Sequence, residues 1–459
     1  MSESTITALV TAPAPGGVAI IRVSGSKAKD VISPMFEAKQ SPLDHSRVLI
    51  FGKITNPTTK EVIDKALCVF MPNPDSYTGE DVVEFQIHGS LTLATKILEY
   101  LYELGIKPAE PGEFTKRAFL NGKIDLAQAE AVNDLINSNS ERAAKIATEQ
   151  LEGRFSESIE KLGEPLRDAL AELEANLDFP EEDIEPDNLK AISKRLNKAL
   201  SEVKQLLKTY DYGHVVKDGL RVLLAGRPNA GKSSILNLLL GIDRAIVTEV
   251  SGTTRDLIEE QAVIEGFPFI FCDSAGLTDT KDKVELIGIE LAYAKLNWAD
   301  LVLFVIDATD LDSLWLSTLT EIQSENRKIW LIVNKIDLEP KAIGRVYCDS
   351  SLCERNFYLS TNSGEGFDSL KAGLVEEVTN RLDNSADSSG VITNARHKSC
   401  LLKAQKSLTK AQEAIAQNLP TEIISAELQL ALSSLEEIIG KTYNDDILDR
   451  IFSKFCIGK

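Results

Sequence analysis

The sequence predicts a multidomain fold, α/β and all-α, in which an N-terminal α/β domain precedes a discontinuous helical domain interrupted by a second, inserted α/β domain. Three observations carry this. Short segments of period-two alternation fill the first 120 residues, leucine stripes at helical spacing stand on both sides of a central region, and that region begins with an apolar strand, a glycine-containing loop and an apolar helix. A length of 459 residues and a hydrophobic content of 43% suffice for two to four cores.

The first domain is expected over 1–121. GGVAIIRVSG and DVVEFQIHG read as strands; in the second, Val83, Phe85 and Ile87 face a core and leave Glu84, Gln86 and His88 on the other face. TLATKILEYLYELG follows as a helix ended by Gly105. From 122 to 216 the pattern is helical: Leu162, Leu166, Leu170, Leu173 and Leu177 form one stripe, with Pro165 marking a start or kink. Leu189, Ile192, Leu196, Leu200, Val203 and Leu207 form a second. Helices resume over 381–459, beginning with Leu401, Ala404, Leu408, Ala411 and Ile415. The inserted domain occupies 217–380, and YDYGHVVKDG and DNSADSSG read as its flanking linkers.

The net charge of −20 argues against a broad basic groove for nucleic acid, although a local basic patch is compatible with it. No apolar run has the length of a membrane span, and MSESTITALVTAPAPGG lacks the basic-then-apolar order of a secretory signal. Six cysteines without metal-ligand spacing predict reduced thiols and a cytoplasmic location. The final FCIGK has two readings. It is either a poor C-a-a-X box, with Gly458 and Lys459 at the wrong places, or the end of a helix that packs Phe455 and Cys456 into a core.

RVLLAG, GRPNAGKSS and ILNLLLG give strand, phosphate loop and helix in order. Gly226 and Gly231 let the loop, whose GTP-binding positions include Asn229 and Ala230, turn its backbone N–H groups toward a β-phosphate, and the helix N-terminus adds favourable potential. Lys232 suits the β- and γ-phosphates, and Ser233, followed by Ser234, a Mg²⁺ ion. AIVTEVSGTTRD, with Thr248, Glu249, Val250, Ser251, Gly252, Thr253 and Thr254, is expected to cover the phosphates, Thr254 closing on Mg²⁺. FPFIFCDSAG supplies Asp273 to the Mg²⁺ shell, then Ser274, Ala275 and Gly276 toward the γ-phosphate. Asn334, Lys335, Ile336 and Asp337 follow a buried strand; an aspartate there accepts from guanine N1–H and its amine, which adenine cannot match. Ser360, Thr361 and Asn362 form the last base-contacting loop. Together these predict a Ras-like GTP-binding domain. Leu277 stands where Ras-like enzymes carry a water-orienting glutamine, so Glu285 is the candidate catalytic carboxylate, or else a solvated helix-face residue. Arg227 and Arg255 are not unambiguous arginine fingers.

GRPNAGKSS, AIVTEVSGTTRD, DSAGL, PGEFTKRAFLNGKIDLAQAEA and FCIGK together resemble the MnmE (TrmE) family of tRNA-modification GTPases along the whole chain. The resemblance implies a K⁺ ion held by Asn229, Thr248, Val250 and Thr253 where two G domains meet, and it assigns water positioning to Glu285. It implies a tetrahydrofolate derivative (5,10-methylene- or 5-formyl-) bound by the N-terminal domain at Arg22, Glu84, Lys123 and Lys459. It also implies a homodimer through that domain, and a heterotetramer with the FAD-containing MnmG (GidA). The reaction implied is addition of an aminomethyl or carboxymethylaminomethyl group to C5 of the wobble uridine of certain tRNAs. Cys456 belongs to the family pattern, and its thiol is a candidate nucleophile or proton carrier. The alternative reading is a regulatory or ribosome-assembly GTPase switch with a folate-sensing domain.

Overall fold

The computed structural model describes residues 4–178, 186–241, 259–273, 296–310, 319, 328–345, 352–381 and 390–459. They fall into two compact units: Met1–Asn133 with Gln150–Gly163 and Leu432–Lys459, and Asp134–Glu149 with Glu164–Ala431.

The first unit is built on strands β1 (Ile6–Leu9), β2 (Gly16–Ser24), β3 (Phe36–Ala38), β4 (Ile50–Thr55), β5 (Val62–Met71), β6 (Val82–Gly89) and β7 (Lys107–Pro108), in the order β3-β4-β5-β6-β2-β1-β7. Every pairing is antiparallel except β1 with β7. Alternation decides the faces. Ile21, Val23, Val83, Phe85 and Ile87 are buried under α1 (Ile32–Met35) and α2 (Leu91–Glu103), whose Ala94, Ile97 and Leu101 complete the core. Ser90 caps α2 by accepting from Leu93 N–H. Arg22 and Glu84 lie opposite each other in the β2–β6 register, on the other face.

Helices α3 (Glu113–Leu120) and α4 (Leu126–Ile136) follow, and the last helix of the chain, α13 (Asp445–Phe452), packs Leu448, Ile451 and Phe452 with Phe455 onto Phe119, Leu126 and Ala129. A buried polar network fixes α3 to the sheet. Arg117 donates to Glu80 (3.0 and 3.2 Å), to Glu113 (2.8 Å) and to the Ser4 carbonyl (2.7 Å), and Ser24 Oγ donates to Glu80 at 2.6 Å.

Helices α5 (Glu141–Leu151), α6 (Arg154–Asp178), α7 (Pro186–Lys208) and α8 (Tyr210–Asp218) come next. Pro165 lies inside α6, so the helix does not begin there. Contrary to the expected linker, YDYGHVVKDG is α8: Tyr212, Val215 and Val216 are buried, and a Cβ on Gly213 would lie 2.2 Å from the Ile392 carbonyl. DNSADSSG lies outside the described residues except Gly390.

The sheet of the second unit contains β8 (Leu220–Gly226), β9 (Glu259–Ile264), β10 (Phe267–Asp273), β11 (Leu301–Asp307), β12 (Ile329–Asn334) and β13 (Arg355–Tyr358) in the order β13-β12-β11-β8-β10-β9. Only β9 is antiparallel. β11 and β12 are near-continuous apolar runs because both faces are covered. Helices α9 (Lys232–Leu240), α10 (Phe367–Thr379), α11 (Ala395–Ala416) and α12 (Thr421–Ile439) complete the described elements.

Removing one member of the Arg117 network strands a buried carboxylate. Arg117→Met should destabilise the first unit by about 3–5 kcal/mol, read by amide exchange in β1 and β6, and adding Glu80→Gln should recover part of the loss.

Candidate nucleotide site and sheet-face cluster

The parallel strands β8, β10, β11 and β12 end at one edge of the sheet, and their C-terminal ends carry the polar residues. After β8 the chain turns through 226–231 into α9. Asn229 and Gly231 have φ of 65° and 99°. A side chain at Gly231 would put Cβ 2.1 Å from Asn334 Nδ2, so glycine is required there on two grounds.

Lys232 is 5% exposed, and its Nζ donates to the carbonyls of Gly226 (2.9 Å) and Arg227 (2.8 Å). Burial pushes its pKa down, and the Asp273 carboxylate acts in the opposite sense. Ser233 Oγ donates to Asp273 Oδ2 at 2.7 Å, which brings together a hydroxyl and a carboxylate, the hard oxygen donors that suit Mg²⁺. Ser234 is exposed on the first turn of α9. Ala230 is buried, and Arg227 pairs with Asp310 at 3.9 Å.

Asn334 is wholly buried at the end of β12. Its Nδ2 donates to the Ala230 carbonyl (2.9 Å), and its Oδ1 accepts from Thr361 N–H (3.3 Å). One amide therefore ties the phosphate loop to the 360–362 loop. Lys335, at φ 64°, places Nζ 2.5 Å from Asp307 Oδ2. Ile336 is buried, and Asp337 is exposed beside it. Ser360 is 1% exposed and its Oγ accepts from the N–H groups of Asn362 and Ser363, each at 3.2 Å, which shapes the turn. Asp307 was not anticipated. Burial opposes its ionisation, but hydrogen bonds from Lys335 and Thr309 hold its carboxyl below the ordinary value. Thr248, Glu249, Val250, Ser251, Gly252, Thr253, Thr254, Ser274, Ala275, Gly276 and Glu285 lie outside the described residues.

A second cluster sits on the first unit's sheet, on the face away from α2. Arg22 Nε donates to Glu84 Oε1 at 2.8 Å, and the guanidinium lies 5.3 Å from the Tyr77 ring and 5.5 Å from the Phe114 ring. Tyr77 Oη is 2.9 Å from Thr115 Oγ1. The tail reaches the same place. Phe114 N–H donates to the Lys459 carbonyl (3.1 Å), Gly112 N–H to that of Cys456 (3.4 Å), and Ile457 bridges Pro111. Gly458, at φ 97°, is held so close that a Cβ would meet the Leu9 carbonyl at 2.4 Å. The tail is therefore docked, with Phe455 buried and Cys456 exposed rather than packed in the core.

Arg22, Glu84 and the Lys459 backbone thus share one locality. Lys123 is exposed, its stem beside Gly79, two residues from Tyr77. Tyr77 and Phe114 escaped the sequence reading, although Phe114 stands within PGEFTKRAFLNGK. A carboxylate beside aromatic rings, with cations nearby, fits a flat amide-bearing heterocycle such as a pterin.

Residues 126–456 match the family described as the MnmE helical domain, and residues 5–123 match the GTP-binding protein TrmE N-terminus. The chain belongs to the MnmE family. It is 39% identical to the tRNA modification GTPase MnmE of Natranaerobius thermophilus over all of both chains. It is 40% identical to that of Alkaliphilus oremlandii, over all of this chain and 99% of the relative. With the protein of that name from Syntrophotalea carbinolica, identity is 41% over all of both.

Because the Asp307 carboxyl is held low in the fold, its stabilising contribution is present above the unfolded-state pKa, about 4, and is lost as pH falls through the depressed folded value. Lys335→Met should move that folded value back up toward the unfolded one, so that stability at neutral pH is lower than in the parent and less of it is lost on acidification below about pH 4. Unfolding midpoints measured across the acid range check this.

Proposed function

We propose that the chain is a K⁺-dependent GTP hydrolase that acts in tRNA modification with the FAD-containing MnmG. The pair would add a carboxymethylaminomethyl or aminomethyl group at C5 of the wobble uridine, using a tetrahydrofolate one-carbon donor. The observation that carries the GTPase part is the single buried amide of Asn334 joining the phosphate loop to the 360–362 loop, with Asp337 exposed beside it. Lys232 leaves its two loop carbonyls for phosphate oxygens, and Asp337 accepts from guanine N1–H and the 2-amino group.

Ser233 and Thr254 hold Mg²⁺, which neutralises phosphate charge when bound. Asn229, Thr248, Val250 and Thr253 hold K⁺, which supplies the positive charge otherwise given by an arginine finger. Glu285 orients the attacking water. Glu84, oriented by Arg22, accepts from the pterin amide and amine, while Lys123 and Lys459 meet the remaining anionic groups. Cys456, exposed on the docked tail, is our candidate for thiol or proton chemistry. We assign 1–121 to folate binding and dimerisation, 122–216 and 381–459 to the helical domain, and 217–380 to the G domain, in a cytoplasmic homodimer that joins MnmG in a heterotetramer.

Asp337→Asn replaces the acceptor with an amide whose N–H₂ suits the 2-carbonyl of xanthine. GTP affinity should fall about 100-fold and XTP affinity should rise, and unchanged preference would refute guanine reading by this loop. Hydrolysis should be faster in KCl than in NaCl, and Glu285→Ala should bind GTP while losing turnover. Deleting the gene should remove the wobble C5 modification from tRNA nucleosides measured by mass spectrometry, with restoration by the parent chain and not by Cys456→Ser. An unchanged nucleoside profile would instead support the regulatory switch.

A further inference from the structure

The helical part of the chain segregates its charge by helix. α7 has six basic and two acidic residues and α11 has five and one, so each carries a net +4. α6 has three basic against seven acidic residues and α12 has four acidic and no basic, so each carries −4. In a chain of net charge −20, a merely solubilising surface would mix the signs.

The two basic helices lie side by side and antiparallel. Gln412 Nε2 donates to the Ser193 carbonyl (2.7 Å) and Gln412 Oε1 accepts from Ser193 Oγ (3.0 Å) at one end, and Ile392 N–H donates to Thr209 Oγ1 (3.1 Å) at the other. Their apolar sides are buried: Ile192, Leu196, Ala199 and Val203 on α7, Leu401, Ala404, Leu408 and Ala411 on α11.

Ion pairs mark the flanks turned to the acidic helices, Arg195 with Glu172 of α6 (2.7 Å) and Lys410 with Glu427 of α12 (3.0 Å). At 3.6 residues per turn, Lys194 and Lys204 then stand on the outer side of α7 toward the seam with α11, and Lys406 on the outer side of α11. All three are exposed, and among the described residues none has an ion pair or a hydrogen bond. Lys190 and Lys208 extend the same row of α7 to a length of about 27 Å.

We infer that the outer face of the α7–α11 pair is a docking surface for the phosphate backbone of RNA. The inference rests on the tRNA reading above. Lys194, Lys204 and Lys406, unpaired among the described residues and held on rigid helices bordered by acidic ones, focus a positive potential in one place on an acidic molecule. The bordering acidic helices repel polyanion on either side, which restricts the approach to the seam.

The test uses the full chain and an unmodified tRNA transcript, with binding followed by fluorescence anisotropy from about 50 to about 200 mM salt. The triple variant Lys194→Gln, Lys204→Gln, Lys406→Gln should bind about tenfold or more weakly at the low-salt end, and the slope of log K against log salt should become shallower by about 2–3. A control with the same charge change on the first unit, Lys29→Gln, Lys53→Gln, Lys96→Gln, should stay within about twofold of the parent. GTP turnover equal to the parent shows that the triple variant is folded.

Equal binding by triple variant and parent, equal weakening by the control, or no binding of tRNA by the parent chain would each overturn the inference. The nucleoside profile of the deletion strain separates this failure from failure of the tRNA reading. Loss of the wobble modification alongside any of those three results leaves the reading standing and the surface refuted.

Discussion

The nucleotide site depends on one buried side chain. Asn334 is the last residue of a fully covered strand, and neither of its polar atoms reaches water. Its amide is satisfied only if Ala230 and Thr361 stay where they are. An amide without those partners would cost about 1–3 kcal/mol, so burial of the strand end and the shape of two loops are a single constraint. The same constraint explains Gly231, since any side chain there would occupy the position of Asn334 Nδ2. The sheet then carries Asp273 and Asp307 to the same edge, where Ser233 and Lys335 meet them.

A comparable logic holds the first unit. The Arg117–Glu80–Glu113 network and the apolar face of α13 fix α3, and α3 presents Phe114 both to Arg22 and to the tail. Gly458 lets the tail backbone approach β1 closely, so the terminal residues are part of the site rather than an appendage. This is why a cysteine near the end of the sequence is exposed yet fixed in place.

Much of this was legible. The strand–loop–helix at 220–240 and the alternation of Val83, Phe85 and Ile87 are local patterns, and local patterns survive folding. The apolar side of α13 was readable for the same reason. What escaped depends on contacts distant in sequence. The glycine and polar residues of YDYGHVVKDG suggested a linker, but the backbone of Ile392 packs against Gly213 and makes glycine an asset within a helix; Tyr212, Val215 and Val216 at helical spacing were the available signal. The pairing of Arg22 with Glu84 needed the β2–β6 register, and the bridging role of Asn334 needed three segments to meet. The basic seam was hidden because net charge averages over helices of opposite sign.

The most direct measurement is the affinity of Asn334→Ala for GDP by isothermal titration, alongside its thermal unfolding. The account predicts a loss of about 100-fold, because the phosphate loop and the 360–362 loop lose their shared partner, in a protein whose first unit unfolds as in the parent. Undiminished affinity in a folded Asn334→Ala protein would contradict it, and would mean that the two loops hold their shape without the amide between them.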